Sequence, residues 1–344
     1  MDGAAATSRG GEPGRFGPAP APGTRAYPTV GEYVAGPSAE QHAGTPLAAV
    51  TAHDVLRASM SRSQVPLPRP RHTRVFVVAN QKGGVGKTTT VVNVAAALAQ
   101  HGQRVLVIDL DPQGNASTAL GVEHPEGTPG AYEGLVEGAD LAELIKPAAD
   151  LPRVDVVPST IDLAGAEIEL VSLVARESRL KKALDAYLAT RADTEEQVDY
   201  VFIDCPPSLG LLTVNALVAG REMLIPIQCE YYALEGVGQL IRNVDLIKAH
   251  LNPDLEVSTI LLTMHDARTR LSAGVADEVR RHFGDQVLKT AIPRSVRISE
   301  APSYQQTVMT YDPSSPGALS YLEAAREIGS AVRPTRTGDE QEAR

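Results

Sequence analysis

The chain has 344 residues, 43% of them hydrophobic and 4% aromatic with no Trp, and a formal net charge of −10 at a pI near 5.3. That is enough apolar material for a large core and too acidic for a basic nucleic-acid coat, though a local basic patch stays open. Two cysteines, Cys205 and Cys229, rule out a disulfide framework or a four-thiolate metal site within one chain; both sit in apolar runs and read as buried thiols. With no run of 18 apolar residues and no signal-peptide core, the expectation is a soluble, cytoplasmic protein.

Residues 1–50 contain 9 Gly and 7 Pro and show no sustained periodicity. Such a stretch cannot bury enough apolar surface to offset its ordering entropy, so residues 1–72 are expected to form a disordered arm. Within it only "AHDVLRASM" (52–60) has the pattern of a turn or two of helix. From Arg74 the chain reads as one domain, 73–333, followed by a polar tail, 334–344.

"RVFVVAN" is a short β-branched apolar run, the mark of a strand buried on both faces. A helix is predicted over about 87–100, with Val91, Val94, Ala95 and Leu98 as its inner face and Gly102 as its stop. Further buried-strand signals follow at "RVLVIDLD", "VDVVPS", "YVFIDCPP", "EMLIPIQ" and "VSTILLTM". Helical patterns fill roughly 165–189, 209–219, 233–251, 271–283 and 318–332. Strands alternating with helices specify an α/β fold with a mainly parallel sheet flanked by helices.

Between the first strand and the first helix stands "QKGGVGKTT". Its glycines let successive N–H groups curl towards phosphate oxygens, and the helix opening at Lys87 adds its positive end. Gly83, Gly84, Val85, Gly86, Lys87, Thr88 and Thr89 therefore form a candidate nucleotide cradle. Lys87 is placed to reach the β- and γ-phosphates and the Thr88 hydroxyl to ligate Mg²⁺. The first glycine of the usual phosphate-loop pattern is replaced by Gln81, and an extra lysine, Lys82, follows it. Asp109, Asp111 and Asp204 fall at or just past strand ends, where ligands of open α/β sheets bind. Asp204 fits best as the water-mediated Mg²⁺ holder, with Asp109 beside it, and Asp111 is placed to orient an attacking water.

"KGGVGKTT" resembles the deviant Walker A loop of the ParA/Soj chromosome- and plasmid-partitioning ATPases. "VLVIDLDPQGNAS", "YVFIDCPPSLG" and the segment 292–328 are similar to that family's companion motifs, over about 75–332. The resemblance implies ATP and Mg²⁺ as cofactors and a slow ATPase acting as an ATP-bound sandwich homodimer. Lys82 would reach across the dimer to the partner's nucleotide, Gly83 would lie where facing loops pack closely, and Asp111 would be needed for hydrolysis. Gln113 and Asn115 would lie in a switch segment and Pro293 at the adenine pocket. It also implies non-specific double-stranded DNA and a ParB-type centromere-binding protein as partners, with nucleoid association.

Arg268, Arg270, Arg280, Arg281, Lys289, Arg294 and Arg297 are seven cations against three carboxylates over 268–297, a local excess suited to sequence-independent phosphate contacts. By resemblance Arg268 and Arg297 are the DNA-binding candidates, with Arg294 beside them. An ATPase that positions a non-chromosomal cargo shares these motifs, and only its partner sets it apart. A MinD-like membrane ATPase needs a basic amphipathic C-terminal helix, and the tail has no bulky apolar residue. An iron–sulfur relative would need both cysteines at a subunit interface.

Overall fold

The computed structural model describes residues 66–231 and 233–331. Eight strands form one sheet: β1 (Arg74–Val78), β2 (Val105–Asp109), β3 (Lys146–Pro147), β4 (Val154–Val157), β5 (Tyr200–Asp204), β6 (Glu222–Gln228), β7 (Glu256–His265) and β8 (Val287–Pro293). Their order is β3-β4-β2-β5-β1-β6-β7-β8, all parallel except the short β3 against β4. This is the mainly parallel α/β sheet expected from the strand–helix alternation. It sets the carboxyl ends of β1, β2 and β5 side by side, with Val78 opposite Asp204 and Asp204 opposite Asp109.

Alternation along each strand divides the core in two. Val75, Val77, Leu106, Ile108, Val201 and Ile203 face one layer of helices, and Phe76, Val78, Val107 and Phe202 face the other. Phe76 and Phe202 stack across the second face at 5.2 Å.

The helix after the phosphate loop, α1 (Lys87–Gln100), departs from its expected single inner face. Every residue from Thr90 to Leu98 is buried. The C-terminal helices α10 (Val308–Tyr311) and α11 (Pro316–Ser330) cover its outer side with Met309, Ala318, Tyr321, Ala325 and Ile328. Asn93 on that side is spent on structure, its Oδ1 accepting the Val308 N–H at 2.8 Å.

Other elements in chain order are α2 (Asn115–Ala119), α3 (Leu141–Leu144), α4 (Leu163–Glu169), α5 (Arg179–Ala189), α6 (Leu211–Ala219), α7 (Ala233–His250), α8 (Arg270–Phe283) and α9 (Val296–Glu300). The expected 165–189 helix is broken in two: Ala175 adopts φ 54°, which no helix accommodates. Strand β8 went unforeseen because it is an edge strand with half-exposed, mixed composition. Glu327 of α11 accepts the β8 backbone N–H groups of Lys289 and Thr290 at 2.8 Å each, which blunts that edge.

Residues 66–72, read from composition as the end of the arm, lie against the domain. Arg69 Nε donates to Asp199 at 2.8 Å, and Leu67 bonds His101 and Gln103. Residues 1–65 and 332–344, including 52–60, lie outside the described residues.

Candidate nucleotide site and its arginine rim

The loop 79–86 is held by one bond of its own and by two to neighbouring strands. Asn80 Nδ2 donates to the Pro226 carbonyl at 2.9 Å, the Lys82 N–H donates to Asn80 Oδ1, and the Thr263 hydroxyl donates to the Val85 carbonyl at 2.8 Å. Gly84 (φ 73°) and Gly86 (φ 90°) occupy the left-handed region that glycine tolerates. Gly83 has no such reason: a Cβ there would meet nothing within 4 Å. Helix α1 opens on Gly86 with no side-chain cap and no acidic residue in its first turn, so its free N–H groups and dipole favour an anion. Val85 and Lys87 are buried while Thr88 and Thr89 are half-buried beside them.

Asp109 and Asp204 are both fully buried at adjacent strand ends. Asp109 is committed: Oδ2 accepts the Ser117 N–H and hydroxyl at 2.9 and 2.8 Å, and Oδ1 accepts the Asp111 N–H at 3.2 Å. Burial nevertheless raises its pKa to about 6, with those bonds opposing. Neither oxygen of Asp204 has a hydrogen-bond partner. Burial, then the Asp109 charge, pushes its pKa well above the carboxylate range. The Thr88 hydroxyl and Lys87 ammonium draw it down without completing a hydrogen bond to it. A buried carboxylate left unpaired beside a threonine hydroxyl fits a hydrated divalent cation, whose ligands would be oxygens. Of the two aspartates assigned to a metal, Asp204 is the one with oxygens to spare; Asp109 instead fixes the 111–117 segment. Among the described residues no group of three or more His, Cys, Asp or Glu is placed to hold a metal by itself.

Asp111 is half-buried and accepts the Gln113 N–H at 3.0 Å, closing the turn that carries Gln113 and Asn115. Gly114 in that turn has φ 62°, and a Cβ would strike the His124 ring. Cys205 and Cys229 are free and buried, and burial raises both thiol pKa values.

Residues 73–257 match an AAA domain family. Over 257 residues the chain is 52% identical to the sporulation initiation inhibitor protein Soj of Bacillus subtilis, covering 75% of this chain and 98% of that one. The chain belongs to the ParA/Soj family of P-loop ATPases. The chromosome partitioning protein ParA of Myxococcus xanthus is 49% identical over 74% of this chain and 87% of its own. Among solved structures, cobyrinic acid a,c-diamide synthase from Mycobacterium smegmatis with bound ADP and magnesium is similar at TM-score 0.63 and 38% identity, covering 74% and 94% of the two chains.

The residues that ParA/Soj resemblance singles out fall in two groups. Lys82, Gly83–Thr89, Asp109, Asp111 and Asp204 gather at the carboxyl ends of β1, β2 and β5. In the described subunit the Lys82 ammonium lies 3.7 Å from Glu230, a residue that sequence reasoning passed over. Pro293 ends β8 opposite His265 of β7, one strand beyond Thr263 and the loop.

The arginines form the second group, and here the charge count changes. Arg268 donates through Nε and Nη2 to both Asp266 oxygens at 2.9 Å, holding the Asp266 pKa down to about 2. Arg294 pairs with Glu230 at 3.0 Å, and Arg297 with Glu300 at 3.3 Å and Asp312 at 3.5 Å. Those four carboxylates lie outside 268–297 in sequence, and with Lys82, which shares Glu230, the rim has seven carboxylates to eight cations, so most of the excess counted along the chain is gone. Arg268 is 88% exposed, and exposed pairs of this kind are weak enough for a phosphate to displace. Thr263 and Glu230 were missed because each is an ordinary polar residue whose contact is long-range, and Ser117 because nothing in a serine eight residues past Asp109 announces its bond back to that carboxylate.

Proposed function

We propose that this ParA/Soj-family chain is a DNA-segregation ATPase that binds ATP with Mg²⁺, dimerises face to face, and holds non-specific DNA until a ParB-type partner stimulates hydrolysis. The observation that carries this reading is Asp204, a buried unpaired carboxylate beside the uncapped start of α1. Lys87 and the loop N–H groups bind the phosphates, and Pro293 borders the adenine. Thr88 and Asp204 would hold Mg²⁺, which when bound would supply positive charge at the transferring phosphoryl group. Asp111 orients the attacking water. Lys82 leaves Glu230 to reach the partner protomer's phosphates, which ties dimerisation to ATP. The open space around Gly83 supports this reading, since nothing within the subunit explains the absent side chain. Arg268, Arg294 and Arg297 exchange their carboxylates for DNA phosphates, releasing counterions, and pairing two subunits doubles those contacts. Such a protein works in the cytoplasm on the nucleoid; no described helix is long and apolar enough to cross a membrane.

The deciding experiment is binding to non-specific duplex DNA at two salt concentrations with ADP, with ATP, and with ATP in the Asp111→Ala variant. Binding that requires ATP, weakens with salt and is lost in Arg268→Glu and Arg297→Glu is expected. Absence of binding in every nucleotide state would overturn the DNA reading.

A further inference from the structure

The segment 161–172 carries two apolar stripes, and only one of them faces the core. Leu163, Ala166 and Leu170 are buried. Ile161, Ala164, Ile168 and Val171 follow the three-four-three spacing of a helix-docking seam and point outward. Ile161 is 55%, Ile168 78% and Val171 57% exposed, and Val174 just beyond is also exposed. A helix apolar on two sides is normally covered on both. Around this seam stand Asp162, Glu167 and Glu169 and, across an open cleft, Glu126 and Glu133. None of the five pairs with a cation among the described residues.

We infer that this seam is the docking surface for an amphipathic helix of a partner protein, with basic residues flanking its apolar stripe. Four of the five accept hydrogen bonds from neighbouring N–H or O–H groups, but with no cation beside them their charge selects a basic occupant and opposes a second copy of the same acidic face. The surface also touches both segments that follow the site's aspartates. The Ser159 N–H, two residues before Ile161, donates to Ser117 Oγ, which in turn donates to Asp109. Glu167 lies against Gly210 and accepts the Leu212 N–H at 3.4 Å, in the stretch that follows Asp204. A helix seated on Ile161, Ile168 and Val171 therefore presses on the supports of Asp111 and Asp204, the positions where hydrolysis would be stimulated. This assignment of the stimulating site rests on the proposed ATPase reading; the docking itself does not.

The test uses the full chain and an Ile168→Ser/Val171→Ser variant, whose changes are at exposed positions. Hydrolysis is measured with and without the ParB-type protein of the same organism. Binding of two synthetic 20-residue helices, alike in their leucine stripe but flanked by Arg/Lys or by Glu, is followed by fluorescence anisotropy. Stimulation of the wild type that falls at least tenfold in the variant, with basal hydrolysis and DNA binding unchanged, is the expected result. Equal stimulation of both proteins overturns the inference while leaving the ATPase reading intact. If the wild type is not stimulated, the ParB reading fails and the peptides decide. Salt-sensitive binding of the Arg/Lys helix alone, lost in the variant, supports the surface, and indifferent binding of both helices overturns it. Loss of ATP-dependent dimers in the variant would assign the seam to a second copy. Much tighter peptide binding after deletion of residues 1–65 would assign it to the chain's own N-terminal segment; either result overturns the partner assignment.

Discussion

The nucleotide end and the arginine rim hold their charges in opposite ways. At the nucleotide end two carboxylates are fully buried, one fixed by three hydrogen bonds and the other left with none. On the rim every candidate arginine is exposed and already matched by a surface carboxylate. A buried carboxyl without a partner is costly in its charged form and keeps its proton until a ligand completes it, so it marks a site. Exposed charge is cheap to pair and cheap to release, so the rim works by exchange, and its strength depends on what it gives up.

The sharpest way to break this contrast is at Asp204. Asp204→Asn should lower Mg²⁺-dependent ATP turnover by about 100-fold or more, since phosphoryl transfer relies on placed charge. It should also raise the melting temperature of the nucleotide-free protein by a few degrees, because a strained carboxylate has been removed. Turnover lost together with stability would mean that Asp204 supports the fold and not the metal. Next in size is Lys82→Ala, which should leave ATP binding by the monomer near wild type and abolish ATP-dependent dimers in sedimentation. Dimers that persist would confine Lys82 to its surface contact with Glu230.

Acidity probes the buried pair from another side. Asp109 has a folded pKa of about 6 against an ordinary 3.8, so its folded state holds the proton more tightly. Its contribution to stability is full below 3.8 and is lost as pH rises through 6, about 3 kcal/mol at most. Asp109→Asn should flatten that slope in melting curves of the nucleotide-free protein between pH 4 and 7 (roughly the window spanned by the two pKa values). An unchanged slope would place the titration elsewhere. At the N-terminal side, deletion through residue 72 should cost about 1–3 kcal/mol more than deletion through residue 65, because Asp199 loses Arg69 and stays buried. The smallest effect belongs to the rim. Asp266→Ala should tighten ATP-dependent DNA binding about two- to fivefold by freeing Arg268, whereas the neutral Arg268→Ala should weaken it and reduce the salt slope by about one. If Asp266→Ala weakens binding, the pair positions Arg268 instead of restraining it.

How much could be read beforehand divides along the same line. The parallel sheet was legible because strands buried on both faces leave unbroken apolar runs such as "RVFVV" and "YVFID". The strand-end aspartates were legible because a charge closing such a run has few structural uses. Strand β8 was not, since an edge strand needs no continuous apolar run, and neither was the break at Ala175, which no proline or glycine announces. Residues 66–72 resembled the arm in composition yet are anchored by the buried Asp199, 130 positions from Arg69. The rim was misjudged for one reason. Charge counted along the chain omits Glu230, Asp266, Glu300 and Asp312, which the fold brings alongside.

The burial of α1 on every side has a dynamic consequence. A helix sealed between the sheet and α10–α11 can exchange its amide hydrogens only when much of the domain opens, so it belongs to the last unit to unfold. Its N-terminal turn is the floor of the phosphate cradle, anchored to that sealed stretch from Thr90 onward. A floor that cannot breathe cannot itself register whether a γ-phosphate is present. That information has to leave through the two segments that follow the site's aspartates, 111–117 and 205–211, and amide exchange compared between nucleotide states should change there while α1 beyond its first turn stays silent.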